Sequence, residues 1–246
     1  MDVTDKWRFH TGGTKAYWNQ ISFILLKMGK VQESLDTYKR AKEEFIKNAA
    51  DKEELAGLYD KWADRLMEVQ NYAEAIKRYQ EAAALYEDNW DIFDSECELA
   101  KTCYLQGEYE QAEKHAKKVL DCMEKRHTTP EDYVSYAGYV PIRKGWMAWI
   151  YLALGQKEKG KRFFEEMETE HPCASCKYPK CFEASLWLGY YYYCEGEYEK
   201  AAELFEEALR RNADVLEAKF MLEKIKTGTK TEKTTKKGWK GLFREK

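Results

Sequence analysis

The sequence predicts an all-α fold, a solenoid of about five helical hairpins closed by a C-terminal helix, and three observations predict it. Helix-forming residues dominate the 246 positions, of which only 4 are Pro, with 44% hydrophobic and 35% charged. Five short turn signals recur, LKMGKVQES, MEVQNYAEA, YLQGEYEQA, LALGQKEKG and YCEGEYEKA, each between two stretches of helical period. Anchored on Gly29, Gln70, Gly107, Gly155 and Gly196, these signals are 41, 37, 48 and 41 residues apart. The third observation is a set of small residues in register. Seven positions before the anchors stand Ser22, Ala63, Ala100, Ala148 and Gly189, and five after them Ser34, Ala75, Ala112, Gly160 and Ala201. All are Ala, Gly or Ser, as two antiparallel helices require where they cross closely.

Large groups fill the other shared slots. Four before the anchors come Leu25, Leu66, Cys103, Tyr151 and Tyr192, and nine after them Tyr38, Tyr79, Ala116, Phe164 and Phe205. The first unit covers about 14–48, after a lead-in of residues 1–13, with Thr14 placed to cap its first helix. The second covers 51–88, joined through Asn48-Ala49-Ala50 with Asp51 as N-cap. The third covers 90–126. An insertion, HTTPEDYVSYAGYVPIRKG, opens the fourth unit, 130–169; Thr129 before Pro130 reads as an N-cap followed by Pro at the first helical position, and Pro141 should divide that helix. The fifth covers 181–212. Residues 213–226 read as an amphipathic capping helix, which shields the apolar face of an end repeat.

The pattern resembles the tetratricopeptide repeat family, whose motif is W-x2-L-G-x2-Y then A-x3-F-x2-A. The last unit carries Leu188-Gly189, Tyr192, Gly196, Tyr198, Ala201, Phe205 and Ala208, and the first keeps Trp18, Leu25, Gly29, Tyr38 and Ala41. The third departs at Ala116, the fourth has Lys157 where a Tyr is usual, and no unit ends in the family's Pro. The resemblance covers about residues 14–226. It implies a right-handed superhelical solenoid with a concave groove lined by the first helix of each pair. The spacing exceeds the family's repeat length, so long second helices or extra turns are expected.

On that frame the groove positions are Ala16, Asn19, Phe23 and Leu26, then Asp60, Asp64, Met67 and Glu68, then Asp94, Cys97, Lys101 and Tyr104. Trp149 and Leu152 follow, then Glu183, Leu186, Tyr190 and Tyr193. The peptide-binding residues expected are Asn19, Asp60, Asp64, Lys101, Trp149, Tyr190 and Tyr193. This groove is acidic in the middle and aromatic at its C-terminal end, which suits a basic and apolar peptide or protein segment. Family members that clamp a C-terminal carboxylate use Lys, Asn and Arg; here Asp60 and Asp64 would repel one.

The expected protein is a non-enzymatic adaptor. No phosphate-loop, dinucleotide, zinc-protease or nucleophile-elbow motif is present. His171, Cys173, Cys176 and Cys181 form the one cluster with metal-ligand spacing, so zinc is the one cofactor considered and a zinc-stabilised scaffold an alternative reading. Another is a receptor for a short signalling peptide, which repeat spacings near 40 residues and a tyrosine-rich insertion resemble. The 13 residues before the first repeat leave no room for a DNA reader. Net charge is −3, so nucleic acid is not expected, and no apolar run approaches a membrane span. Seven cysteines and a start without an apolar leader point to the cytoplasm. Residues 227–246 are expected to be disordered. From Lys226 onward the tail has eight basic and two acidic residues, with Trp239, Leu242 and Phe243 on one edge, and its charge suits self-binding to the acidic groove but no stable membrane association.

Overall fold

A computed structural model describes residues 14–87, 89–135, 140–170 and 181–232, the outermost residues of several stretches by backbone alone. The chain forms two compact units, Met1–Cys173 and Ala174–Lys246. All elements among the described residues are helical. In the first unit these are α1 (Thr14–Lys27), α2 (Val31–Lys47), α3 (Lys52–Glu68), α4 (Tyr72–Ala83), α5 (Asn89–Gln106), α6 (Tyr109–Lys125), α7 (Pro130–Ser135), α8 (Val140–Ala153) and α9 (Lys157–Glu170). The second holds α10 (Cys181–Cys194), α11 (Tyr198–Arg211) and α12 (Leu216–Glu232). No helix among the described residues is long and apolar enough to cross a membrane.

The helices pair as the anchors require, α1 with α2, α3 with α4, α5 with α6, α8 with α9 and α10 with α11. Within the first unit each pair then packs on the next, α2 and α1 against α3, α4 against α5, and α5 and α6 against α8. The slots of small residues are the crossing points. Ser22, Ala63, Ala100 and Ala148 have no exposed surface, nor have Ser34, Ala75, Ala112 and Ala201. In the first pair a hydroxyl link, Ser22 to Ser34 at 2.8 Å, replaces methyl contact. The aromatic slots fill the space beside each crossing. Tyr38, Phe164 and Phe205 are fully buried and Tyr79 is nearly so, and Tyr38 stacks on Trp62 of α3 with centroids 6.0 Å apart.

Each turn closes in the same way. Gly29 N–H donates to Leu26 O and Lys30 N–H to Leu25 O, both at 2.9 Å, and the same pair of bonds recurs at Gln70, Gly107, Gly155 and Gly196. This double bond satisfies the last carbonyls of the first helix with one residue in the left-handed region. Gly29, Gly107, Gly155 and Gly196 adopt φ of +73° to +85°, as glycine does without strain, but Gln70 sits at +58° with a Cβ. Gln70→Gly is therefore expected to stabilise the protein by about 1 kcal/mol, read as a raised urea midpoint. An unchanged or lowered midpoint would show that the Gln side chain contributes more than the backbone loses.

The predicted starts hold where their geometry is described. The Asp51 side chain accepts from Glu54 N–H at 2.7 Å. Thr129 Oγ1 accepts from Asp132 N–H at 3.1 Å while its hydroxyl and N–H donate back to Asp132, a reciprocal cap on a helix that begins at Pro130. Val140–Ala153 is a separate helix with Pro141 in its first turn, as a missing N–H dictates. The extra repeat length comes from α2, α3, α5 and α6, of 17 or 18 residues each, and from the inserted α7. The last helix starts later than expected, at Leu216, and runs to Glu232, six residues into the segment read as disordered. Thr227 continues it by donating its hydroxyl back to Glu223 O at 2.9 Å.

Candidate peptide-binding face

The described geometry gathers the acidic residues of α3 and α5 on one face of the first unit. Asp60 Oδ2 accepts from Tyr86 Oη at 2.6 Å and Oδ1 from Ser95 Oγ at 3.1 Å, so hydroxyls from α5 and from the stretch after α4 hold its carboxylate. One turn on, Asp64 Oδ1 accepts from Tyr79 Oη at 2.8 Å, and that hydroxyl lies 3.4 Å from Glu98 Oε2 on α5. Lys61 Nζ bridges to Asp64 at 2.7 Å, and its charge also reaches Asp60 and Asp94. Two tyrosine hydroxyls thus orient carboxylates from two neighbouring helices around one lysine. Burial and the surrounding carboxylates push the Tyr79 hydroxyl far up, so it stays a neutral donor.

Crowding shows in the carboxyls. Desolvation first, aided by the Asp64 charge, pushes Asp60 up to about 6 despite the two hydroxyl donors. Desolvation, then Glu98 and Asp91, push Asp94 up to about 6 as well; that side chain is exposed, so solvent weakens the effect there. A charged Asp60 therefore costs stability at neutral pH. The sign follows: between pH 7 and about 4 the folded state takes up a proton that the unfolded state does not, so this penalty is relieved as pH falls through 6. Asp60→Asn is expected to gain about 1–2 kcal/mol at pH 7 and nothing at pH 4. Thermal unfolding of both proteins across that range checks it, and a pH-independent difference would refute the assignment.

The other expected site residues fall into three groups. Asn19 accepts from Tyr38 Oη at 2.7 Å and sits 3.5 Å from Arg65 Nη2, whose Nη1 pairs with Glu68 at 2.6 Å. It thus adjoins the acidic face at its α1 side, where Phe23 is 42% exposed beneath Lys27 and Arg65. Lys101 is nearly buried, 2.8 Å from Glu98 and over the Trp146 ring, so it neutralises the face from within rather than reaching outward. Trp149 and Tyr190 are corrected: both are core. Trp149 is 0% exposed, edge-on to Phe164 and Tyr104, and Tyr190 is 3% exposed against Phe205. Cys97, Leu26, Met67, Leu152 and Leu186, also placed in the groove by register, are buried as well. Tyr193, in the second unit, is half-buried, with Tyr198 and Lys224 against its ring. The described aromatic residues of α8 and α10 therefore build cores. The acidic middle is the part of the expected site that the geometry brings together, and it adds Glu98, Tyr79, Tyr86 and Ser95. An i,i+4 reading of Asp94 and Glu98 points to the first of these; nothing in the sequence points to Tyr86.

His171, Cys173 and Cys176 lie outside the described residues, as does the side chain of Cys181, and so does the tail after Glu232. Among the described residues no group of three or more His, Cys, Asp or Glu is placed to hold a metal. The described cysteines are free thiols, Cys97, Cys103 and Cys122 buried and Cys194 partly so, and desolvation pushes Cys103 and Cys194 up to about 12. Such thiols are poor nucleophiles.

Comparison with known proteins places this geometry. Two tetratricopeptide repeat profiles match, one over residues 54–125 and one over 147–215, together more than half of the chain. No curated protein matches the sequence. Among solved structures, a Rap protein complexed with competence and sporulation factor aligns with TM-score 0.53 at 16% identity, covering 86% of this chain and 57% of that one. The Rap conjugation gene regulator of plasmid pLS20 in complex with the Phr* peptide aligns with TM-score 0.53 at 12% identity, covering 88% and 56%. BtubC from P. vanneervenii aligns with TM-score 0.52 at 15% identity over 85% of each chain. The chain spans little more than half the length of either Rap structure. At these identities the likeness is one of fold.

Proposed function

The chain belongs to the tetratricopeptide repeat family, and from that membership we propose that it is a non-enzymatic adaptor holding a basic peptide segment against the acidic face of α3 and α5. Repeat proteins of this kind are generally scaffolds. The observation that carries the reading is the juxtaposition of Asp60, Asp64 and Asp94 around Lys61, with Glu98 joined to the group through the Tyr79 hydroxyl that Asp64 accepts from, and the Tyr86 hydroxyl on Asp60. A Lys or Arg side chain entering there would meet several prearranged acceptors, and its charge would relieve the crowding that raises Asp60. Phe23 supplies an exposed apolar contact at the α1 side of the same unit. Acidic residues at such a face set orientation and association rate, and the affinity depends on salt.

The test reverses charge where the fold tolerates it. Asp64 is 41% exposed along its side chain and Asp94 is exposed, whereas Asp60 is held by two hydroxyls, so Asp64→Lys with Asp94→Lys is the informative pair. Against fluorescein-labelled peptides of Lys, Arg, Leu and Trp, the double variant is expected to lose at least about 30-fold in affinity, equivalent to about 2 kcal/mol. Circular dichroism should stay helical, and Glu203→Lys on α11 should change nothing. Equal affinity in the variant, or no binding by the parent, would sink the assignment. A second reading, a receptor for a free short peptide, uses the same face; of the two solved Rap structures that share the fold, the pLS20 regulator is in complex with the Phr* peptide. A short free basic peptide that raises the melting temperature as much as the same sequence embedded in a protein would favour it.

A further inference from the structure

Two lysines meet the acidic face, and they are held differently. Lys101 is pinned from two directions, 2.8 Å from Glu98 and over the Trp146 ring, with its side chain nearly buried. Lys61 is exposed, with 47% of its side chain in solvent, and its ammonium lies 2.7 Å from Asp64 Oδ2. The two oxygens of Asp64 have different partners. Oδ1 accepts from the hydroxyl of Tyr79, which is 2% exposed, so the carboxylate is fixed from the core side. Oδ2 carries Lys61. The tyrosine thus gives the carboxylate its position, and the lysine supplies charge. Lys61 also faces more than one acid. The Asp64 charge first, and that of Asp60 after it, raise the pKa of Lys61 against the effect of burial, and its own charge is felt at Asp94 of α5. An ammonium is therefore already seated where the cation of a basic segment would go.

We infer that Lys61 is a built-in competitor: its ammonium occupies the acidic face in place of the ligand's cation and leaves Asp64 when a basic segment binds. The competition presupposes that the face binds such a segment, as proposed above. Leaving is cheap. An exposed ion pair between residues three apart is weak, because solvent screens it and one geometry restricts a long side chain. The displaced ammonium swings into water on its flexible four-carbon stem, while the Tyr79 bond to Asp64 stays in place. The incoming Lys or Arg then inherits an acceptor that is already oriented. A neutral segment has no cation to put in its place, so it gains nothing from the exchange. Lys101 cannot play this part, since Glu98 and the Trp146 ring hold it within the face. Loss of Lys61 has two opposite consequences. Without peptide, Asp60, Asp64 and Asp94 lose the positive charge that offsets their crowding, so stability falls. With peptide, nothing has to be displaced, so affinity rises. A residue with a merely structural role would lower both.

The experiment compares the full chain with its Lys61→Met, Lys61→Arg and Lys39→Met variants. The last removes an equal charge from α2, where Lys39 lies 2.7 Å from Asp36 in a pair of the same spacing. Fluorescence anisotropy reads binding of the labelled peptides of Lys, Arg, Leu and Trp. Lys61→Met is expected to bind them about fivefold to tenfold more tightly than the parent, as when the competing lysine frees its carboxylate a tenth to a fifth of the time. Lys61→Arg restores a competing cation and should stay within about threefold of the parent. Lys39→Met should stay within about twofold, since solvent and salt screen a charge outside the face. Peptides with Gln in place of every Lys and Arg should bind Lys61→Met no more tightly than the parent, which separates a lost cation from a gained apolar side chain. Lys61→Met should melt below the parent when free and show the larger rise with peptide. Parental or weaker affinity in Lys61→Met, or equal tightening in Lys39→Met, would overturn the proposal and leave the peptide-binding face standing. Absence of binding by both the parent and Lys61→Met would overturn the face itself, and the competitor with it.

Discussion

Replacing Glu96 by alanine is expected to lower the unfolding free energy by about 2–4 kcal/mol, among the largest losses that one side chain of this protein can cause. Glu96 is 2% exposed on α5, and it accepts from His115 Nδ1 at 2.5 Å and from Lys118 Nζ at 2.6 Å, both on α6. Burial alone would raise its pKa, but the two donors outweigh burial and hold the carboxyl below its ordinary value. Removing it strands His115, itself 4% exposed and with Nε2 already lacking a partner; Lys118, 47% exposed, simply turns to water. The loss therefore comes from the imidazole and the vacated space. Glu96→Leu together with His115→Leu should recover most of it, since no polar group is then left unpaired. The carboxylate's contribution is present above its unfolded pKa near 4.5 and fades as pH falls below that, opposite in sign to Asp60. Urea unfolding at pH 7 measures all three proteins. A Glu96→Ala midpoint within error of the parent, or a double variant as unstable as the single one, would contradict this account.

Glu96 also shows where the sequence stops being legible. The repeat frame works because backbone crossings demand a residue class at a fixed position, and Ser22, Ala63, Ala100, Ala148 and Gly189 state that demand five times over. Turns are legible for the same reason: a left-handed residue must close each hairpin, and four of the five are Gly. Nothing repeats Glu96. It stands two residues from both Asp94 and Glu98, so on a helix it faces the opposite way, into the pair rather than out of it. That spacing was the available signal. Ala116, where the aromatic slot is empty, sits beside His115 in the same hairpin, and a lone departure from pattern says only that something else fills the space. Trp149 and Tyr190 were misplaced for a related reason. Helices α8 and α10 are apolar on nearly every side (WMAWIYLA and LWLGYYYYC), so no contrast between faces tells a groove from a core. The acidic face was legible because α3 does have that contrast, with Asp60 and Asp64 opposite Leu58, Trp62 and Leu66. Its tyrosine hydroxyls come from Tyr79, which the repeat frame places only as an aromatic slot, and from Tyr86, which lies outside the frame.

Gly160→Ala and Gly189→Ala are expected to destabilise by unequal amounts, and the inequality tests how the hairpins are held. Both glycines occupy crossing slots, and in each a methyl group would gain about 1 kcal/mol of helix propensity if there were room. There is none. A Cβ at Gly189 would lie 2.7–3.0 Å from the ring of Phe205, and one at Gly160 would lie 2.9 Å from the carbonyl oxygen of Ala148 and from Leu152. Overpacking of this kind costs about 1–3 kcal/mol. At Gly189 the obstacle is a side chain, so α10 and α11 keep their spacing if the ring shifts, and the net loss should be about 1 kcal/mol. At Gly160 the obstacle includes the backbone of α8, which yields only if α8 and α9 move apart along their whole contact, and the net loss should approach 3 kcal/mol. Second-site changes separate the two. Phe205→Leu frees space beside Gly189, so the double variant should be less unstable than the sum of its parents; Leu152→Ala leaves the Ala148 carbonyl where it is, so it should not rescue Gly160→Ala. Urea midpoints for the four variants and two pairs decide the matter. Equal losses at the two glycines, or rescue of Gly160→Ala by Leu152→Ala, would mean that side-chain packing rather than backbone approach sets the hairpin spacing.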